Sequence, residues 1–382
     1  MSGHAPNGPV GPQPHLRPTS PRTSRSRGAG LAAVGIVLAS LVGLAVAAYF
    51  VQALGTGAAA AGAVLALVPL AAVLWAVRWI DRWEPEPRGA LWFAFLWGAT
   101  VSVALALLVD LALVVLGGID DEFLGAVVQA PIVEELAKAA GLLVLAAVAR
   151  AHLDGPVDGL VYAATIAAGF AFTENALYFG VALLESGPDG LGSVFFVRGV
   201  MSPFAHVMFT ACTGIAIGTF VARGRSALLG ALVGLVPAIG LHALWNGALF
   251  VVDDFFGYYL LVQVPLFVLA IGITVWLRRL ERRVLRRRLA EYAAVGWFSA
   301  GELEMFTTPE GRRRARANAS ARGAVARRTM DALIRDTTHL AFTRERIASG
   351  RAAFGGRDGG RAAADEQALL ASIVAARASL LA

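Results

Sequence analysis

Along most of this chain apolar residues come in runs of about twenty or more, separated by short polar or charged stretches. A helix needs ~20 residues to cross the hydrocarbon core of a bilayer. Eight runs meet that length, at roughly 31–53, 58–80, 90–116, 123–149, 157–184, 197–222, 227–251 and 257–279. The pattern predicts an all-α, polytopic membrane helix bundle of about eight transmembrane helices. The first run resembles a signal peptide, but its leader is long and seven more runs follow, so it reads as an uncleaved helix.

Two polar regions flank the bundle. Residues 1–30, rich in Pro, Ser, Gly and Arg and without an acid, form a leader expected to be disordered. Residues 31–280 form the membrane domain, and residues 281–382 a cytoplasmic helical tail. Within the tail, Ser299 and Glu302 are spaced as a capping box, and Thr308-Pro309 reads as an N-cap with proline at the first helical position. A helix or broken helix runs to about Gly350, and a Gly-rich break at 355–360 precedes a last helix over 361–381. Nothing in the tail has the look of a catalytic centre.

Composition supports a membrane protein: 57% of residues are hydrophobic and only 16% charged. The net charge of +6 resides mainly in the two flanking regions, where beside membrane spans it marks a cytoplasmic face and not a nucleic-acid surface. Basic and acidic loops alternate along the chain, placing both termini in the cytoplasm and the protein in the cell membrane as a multi-pass protein. Arg198 is the one basic residue near an outer end. The single cysteine, Cys212, excludes an intrachain disulfide and any cysteine metal framework. Of the 33 basic residues only Lys138 is a lysine, and it lies inside an apolar run.

Ionisable side chains at membrane depth cost ~2.5–3.5 kcal/mol or more each when charged, and so point to function. Four runs carry them. The fourth holds Pro131, Glu134, Glu135 and Lys138; the fifth holds Phe170, Glu174, Asn175 and Tyr178; the sixth holds His206 and Thr210; the seventh holds His242 and Asn246. Counted from the expected outer helix ends, Glu134, Glu174, His206 and His242 all lie about 13–17 Å deep at 1.5 Å per residue. Two of these helices run down and two run up, so a common level implies one shared site in the outer half of the membrane. Spacing adds that Lys138 sits over Glu134 one turn away, with Glu135 about a quarter-turn off. Glu174 with Tyr178, and His242 with Asn246, are pairs of the same spacing.

Such a set suits hydrolysis, with a glutamate taking a proton from water while histidine and asparagine stabilise the oxyanion. Taken singly, the Glu–Lys pair is as readily a bolt between helices, and a lone membrane histidine more often bonds a neighbouring helix. Tyr178, Thr210 and Asn246 each read as packing or hydrogen-bonding residues, and Phe170 and Trp245 as packing. A proton-coupled transporter or a non-catalytic membrane scaffold is the alternative. The absence of a repeat between the halves and the single level of the ionisable groups tell against a transporter.

Glu134-Glu135-x-x-Lys138, Phe170-x-x-x-Glu174-x-x-x-Tyr178 and the helix-borne His206 and His242 resemble the PrsW family of intramembrane proteases, as does the Asp81–Pro87 segment with Glu84-Pro85-Glu86-Pro87. The resemblance spans about residues 60–280. It is related in pattern to the CaaX-processing and bacteriocin-immunity membrane proteases, from which Lys138 differs by one residue of spacing and Glu174 by standing where a histidine would be. His242-x-x-x-Asn246 matches their third motif. The resemblance implies a hydrolase that cuts a single-span membrane protein, in that family a membrane-anchored anti-sigma factor. By it, Glu134, Glu135, Glu174, His206 and His242 are catalytic, and Lys138, Tyr178 and Asn246 supporting. No His-Glu-x-x-His is present, which excludes a zincin. A metal-free glutamate mechanism is the preferred expectation, and zinc held by His206, His242 and Glu174 or Glu134 is the other route.

Overall fold

The computed structural model describes residues 25–117, 121–148, 152–349 and 358–381, and among these every regular element is a helix. Residues 1–24, where most of the leader falls, and residues 355–357 of the expected break lie outside the described residues, whereas 358–360 of that break already belong to the last helix. Among the described residues, five helical stretches, two of them kinked or broken within, are long and apolar enough to cross a membrane: Ala33–Ile80, Arg88–Gly117, Pro156–Ala222, Ala227–Val251 and Phe255–Ala294. The protein is an all-α membrane helix bundle.

Helix α1 (Arg25–Ile80) contains the first two apolar runs. At Gly55 the backbone leaves helical geometry (φ 75°, ψ 160°), a region that glycine enters without a Cβ clash. The helix doubles back there. Ile36 and Val77 both pack around the first turns of α6 (Pro156–Phe195), whereas Leu54 and Ala58 meet Phe170 and Gly180. Next come α2 (Arg88–Leu96), α3 (Val103–Gly117), α4 (Glu122–Leu124) and α5 (Ala130–Val148). Helix α5 is as apolar as α1 overall and stands apart from the five stretches by its three charged residues, Glu134, Glu135 and Lys138.

Helix α6 is the axis of the bundle. Every residue from Val157 to Phe170 is buried, and small residues make this possible by letting backbones touch. A Cβ on Gly98 would lie 1.8 Å from the Ile166 carbonyl oxygen, so only glycine fits there. Farther on, Gly187 (φ 66°, ψ −158°) turns the chain at Pro188. The helix then resumes at once, well before the expected start of the sixth run at 197. Residues 188–201 return beside α6, packing Phe195 on Phe179 at 5.4 Å between ring centroids, before the chain breaks at Ser202–Phe204 and enters α7 (Ala205–Ala222). Helices α8 (Ala227–Val251), α9 (Phe255–Tyr258) and α10 (Val264–Ala294) complete the membrane part.

Four stretches widen to π-helical hydrogen bonding: Trp97–Ser102, Gly125–Gln129, Phe196–Met201 and Tyr259–Gln263. The last three each run up to a proline two residues on, at Pro131, Pro203 and Pro265. A proline has no N–H and its ring crowds the carbonyl four residues back, here Val127, Gly199 and Leu261, so the turn above it loosens. Two of these loosened turns lie directly above Glu134 and His206.

Helix α10 runs unbroken through residue 281 and leads into α11 (Ala300–Thr307), α12 (Pro309–Ala321), α13 (Ala324–Ala348) and α14 (Asp358–Leu381). The capping box at Ser299 and Glu302 is formed, and Thr308 caps α12 ahead of Pro309. These helices share a core of Leu285, Leu289, Phe298, Phe306, Leu333, Leu340 and Ile373 that also takes in Trp83 from the loop after α1.

Candidate active site

Helices α5, α6, α7 and α8 bring Glu134, Glu135, Lys138, Glu174, His206 and His242 into one cluster. Lys138 is fully buried at its centre, its Nζ 2.8 Å from Glu135 Oε1, 3.4 Å from Glu134 Oε2 and 3.3 Å from His206 Nδ1. The Phe170 ring closes the remaining side, with its centroid 3.8 Å from Nζ. The expected pairing of Lys138 with Glu134 is present at 3.4 Å, and a closer one to Glu135 stands beside it. The ammonium bridges both carboxylates and binds Glu135 more tightly, because residues three apart are also neighbours on a helix.

The two glutamates are held unequally. Glu135 also accepts the Thr210 hydroxyl at 3.0 Å, and its side chain is wholly buried. Glu134 has a looser hold on Lys138, retains 10% side-chain exposure and has His242 Nε2 3.8 Å from its Oε2. His242 stacks on Phe209 at 4.8 Å; its Nδ1 lies 3.3 Å from Glu135 Oε1 but outside hydrogen-bond geometry. His206 Nε2 is 2.8 Å from Glu174 Oε2, and the same oxygen receives Nη2 of Arg198.

Two supporting residues have different partners from those expected. Asn246 does not serve His242; its Nδ2 donates to the Ala126 carbonyl at 2.8 Å, tying α8 to the loosened turn above α5. Tyr178 is 45% exposed and lies under the Arg198 guanidinium at 4.1 Å, not on Glu174. A side chain one turn away is a neighbour only when no stronger partner from another helix claims it. Phe170, read as packing, is buried as expected and also walls the ammonium. Residues that the sequence pattern missed include Asp110, which accepts from Gln129 at 3.2 Å midway along α3. Its acid inside the third apolar run was the available signal. Arg198 stood out in sequence only as a basic residue at an unexpected place.

Residues 86–270 match the family model described as PrsW family intramembrane metalloprotease. That segment is a PrsW-family domain. Over 163 residues the chain is 34% identical to "Protease PrsW" of Clostridioides difficile (strain 630), covering 42% of this chain and 66% of that protein's length. No solved structure matches the chain. The matched segment of the PrsW domain contains every residue of the cluster.

The family description names a metal, and the cluster can be tested against one. Glu134, His206 and His242 each offer a ligand atom, all within 4.8 Å of one another, and two imidazoles with a carboxylate are donors that suit zinc. The hydrogen bonds do not fit that use. An ammonium can only donate, so His206 Nδ1 accepts from Lys138 and Nε2 carries the proton given to Glu174. Both ring nitrogens are committed, and the Lys138 ammonium already stands within 3.4 Å of Glu134 and His206. The residues as arranged hold a built-in cation where a metal would compete with it.

Proposed function

We propose that this PrsW-domain protein is an intramembrane endopeptidase in which Glu134 activates the attacking water without a metal. The observation that carries this reading is the unequal hold on the two glutamates: Glu135 is fixed by Lys138 and Thr210, whereas Glu134 is looser and faces His242. The 3.8 Å between Glu134 Oε2 and His242 Nε2 suits a water bonded to both at about 2.8 Å.

Glu134 takes a proton from that water as its oxygen bonds to the peptide carbonyl carbon. The carbonyl oxygen gains the electron pair, and His242, the least committed ring of the cluster, is placed to donate to it. Collapse of the oxyanion breaks the C–N bond, and Glu134 returns its proton to the leaving amine. Glu135 and Lys138 hold the geometry, and His206 with Glu174 forms the opposite wall. The substrate is a single-span membrane protein, an anti-sigma factor by analogy with the family, cut within the bilayer's outer half by an enzyme with both termini in the cytoplasm.

The test is cleavage of a library of single-span peptides by the full chain in vesicles. Glu134→Gln should lower kcat about 10³-fold or more, with helix content and melting temperature unchanged. A strong chelator should leave the wild-type rate intact. Cleavage surviving Glu134→Gln would remove Glu134 as base, and loss of activity to the chelator would overturn the metal-free route.

A further inference from the structure

Arg198 is not among the residues assigned to the site, yet it contacts Glu174, Asn175 and Tyr178 on its wall. It lies in the loosened turn Phe196–Met201, four residues before the Ser202–Phe204 break leads to His206. Its Nη2 donates to Glu174 Oε2, its Nε donates to Asn175 Oδ1 at 2.8 Å, and its guanidinium covers the Tyr178 ring at 4.1 Å. Three residues of one α6 face thus hold one planar fork, a fit that a lysine cannot reproduce.

A charge in this segment needs a reason. Holding residues 188–201 against α6 does not supply one, because Leu191, Val194 and Phe195 already pack on Ala66, Ala176 and Phe179. What Arg198 alone supplies is a partner for the Glu174 oxygen that also receives His206. We infer that Arg198 is a positioning residue: it keeps the Glu174 carboxylate turned to His206 as the acceptor for Nε2–H and so, together with Lys138 on Nδ1, fixes which nitrogen of that ring carries the proton.

The chain of donors has one direction. The Lys138 ammonium donates to His206 Nδ1, so the ring proton must sit on Nε2, and Nε2 needs an acceptor. Glu174 is that acceptor only while its carboxylate stays in place. Without Arg198 it is free to turn toward Lys138, and the His206 ring loses the bond that sets its orientation. The three side chains of this wall, Glu174, Arg198 and His206, keep 16%, 21% and 13% exposure, whereas Lys138 and Glu135 are sealed. Arg198 therefore stands at the side from which the cluster is reached. This role rests on the peptidase reading, since it is an effect on that reaction, but its structural part does not.

Two measurements test it, both on the full chain in lipid. In the peptide assay Arg198→Gln should lower kcat about 100-fold with KM within about twofold, as expected for misplacement of a group that acts on the transition state. Arg198→Lys should recover about tenfold of this, because an ammonium can reach Glu174 without bridging to Asn175. The second measurement is ¹⁵N NMR of ring-labelled histidine in nanodiscs, with His206 assigned by its loss in His206→Gln. Wild type should show a protonated Nε2 and a bare Nδ1, and Arg198→Gln should show exchange between the two forms. Equal losses in the Gln and Lys variants together with a lower melting temperature, an unchanged kcat, or an unchanged His206 tautomer in Arg198→Gln would each overturn the inference. If wild type cleaves no peptide, the peptidase reading falls, and the tautomer measurement still decides the role of Arg198.

Discussion

Helix α6 meets two groups of acids, one around Asp158 in its first turn and one around Glu174 midway along it, and the two groups are held in different ways. At Glu174 and the neighbouring Glu134 and Glu135, every carboxylate has a cation in contact, Lys138 or Arg198, with imidazole between them. Near Tyr162, where the loop after α1 meets α6 and the tail helices, Glu86, Asp81 and Asp158 accept from neutral groups, while Arg346 pairs with the Asp154 carboxylate at 2.6 Å. Tyr162 donates to Glu86 at 2.6 Å, the Glu86 N–H donates to Asp81 at 3.0 Å, and the Asp154 N–H donates to Asp158 at 3.0 Å. Burial pushes the Glu86 carboxyl up to about 11, reinforced by the charge of Asp158, and pushes Asp81 up to about 7 against the pull of its N–H bond and Arg78. The same residue type is thus a charge carrier in one group and a proton-holding packing group in the other. The partners decide which: a cation keeps a buried carboxylate useful as a base, and a hydroxyl or an amide leaves it a structural acid.

The largest way to break that contrast is to remove the cation. Lys138→Met leaves Glu134 and Glu135 buried without a counter-charge and should destabilise the bundle by about 3–5 kcal/mol, read by thermal unfolding in detergent. Intact stability would show that the glutamates find another partner.

Next in size is the clamp on the other cluster. Arg312 donates to the Phe306 carbonyl at 2.8 Å, to Thr338 Oγ1 at 2.7 Å and to the Trp83 carbonyl at 3.4 Å, with its guanidinium over the Trp83 ring. Arg312→Met should cost about 2–4 kcal/mol and expose the α11–α14 helices to limited proteolysis while peptide cleavage persists.

A smaller effect is the pH dependence of the same contact. The docked Asp81 binds its proton more tightly than the free residue, whose ordinary value is 3.8. Its stabilisation is complete below that value and is lost as the pH rises toward and through about 7. Hydrogen exchange of residues 81–87, corrected for the intrinsic rate, should therefore be better protected at pH 5 than at pH 8. Asp81→Asn should flatten this trend. The smallest change expected is Glu86→Gln, within about 0.5 kcal/mol, since an amide can accept from Tyr162 as a protonated carboxyl does. A large loss there would mean that Glu86 carries charge after all.

Much of the architecture could be read from one dimension. Runs of apolar residues determined an all-α membrane bundle, because a bilayer leaves the backbone no partner but itself. Ser299, Glu302 and Thr308-Pro309 determined helix starts, because capping is a bond between near neighbours in the chain. Intramembrane Glu, His and Lys marked the residues that would meet, since their burial is costly wherever they go. What the chain could not determine was pairing between helices.

Lys138 lies closer to Glu135 than to Glu134 on its own helix, Asn246 bonds the Ala126 backbone carbonyl instead of His242, and Tyr178 meets the Arg198 guanidinium brought in by the returning segment. The early return of the chain at Gly187 had no signal in hydropathy, since residues 185–196 are too mixed to read as membrane helix alone. Arg198 reached Glu174 only through that return. Periodicity along a helix states which residues share a face, whereas three-dimensional packing decides what that face meets. In this protein the second decision separates the loosely held Glu134 from the anchored Glu135.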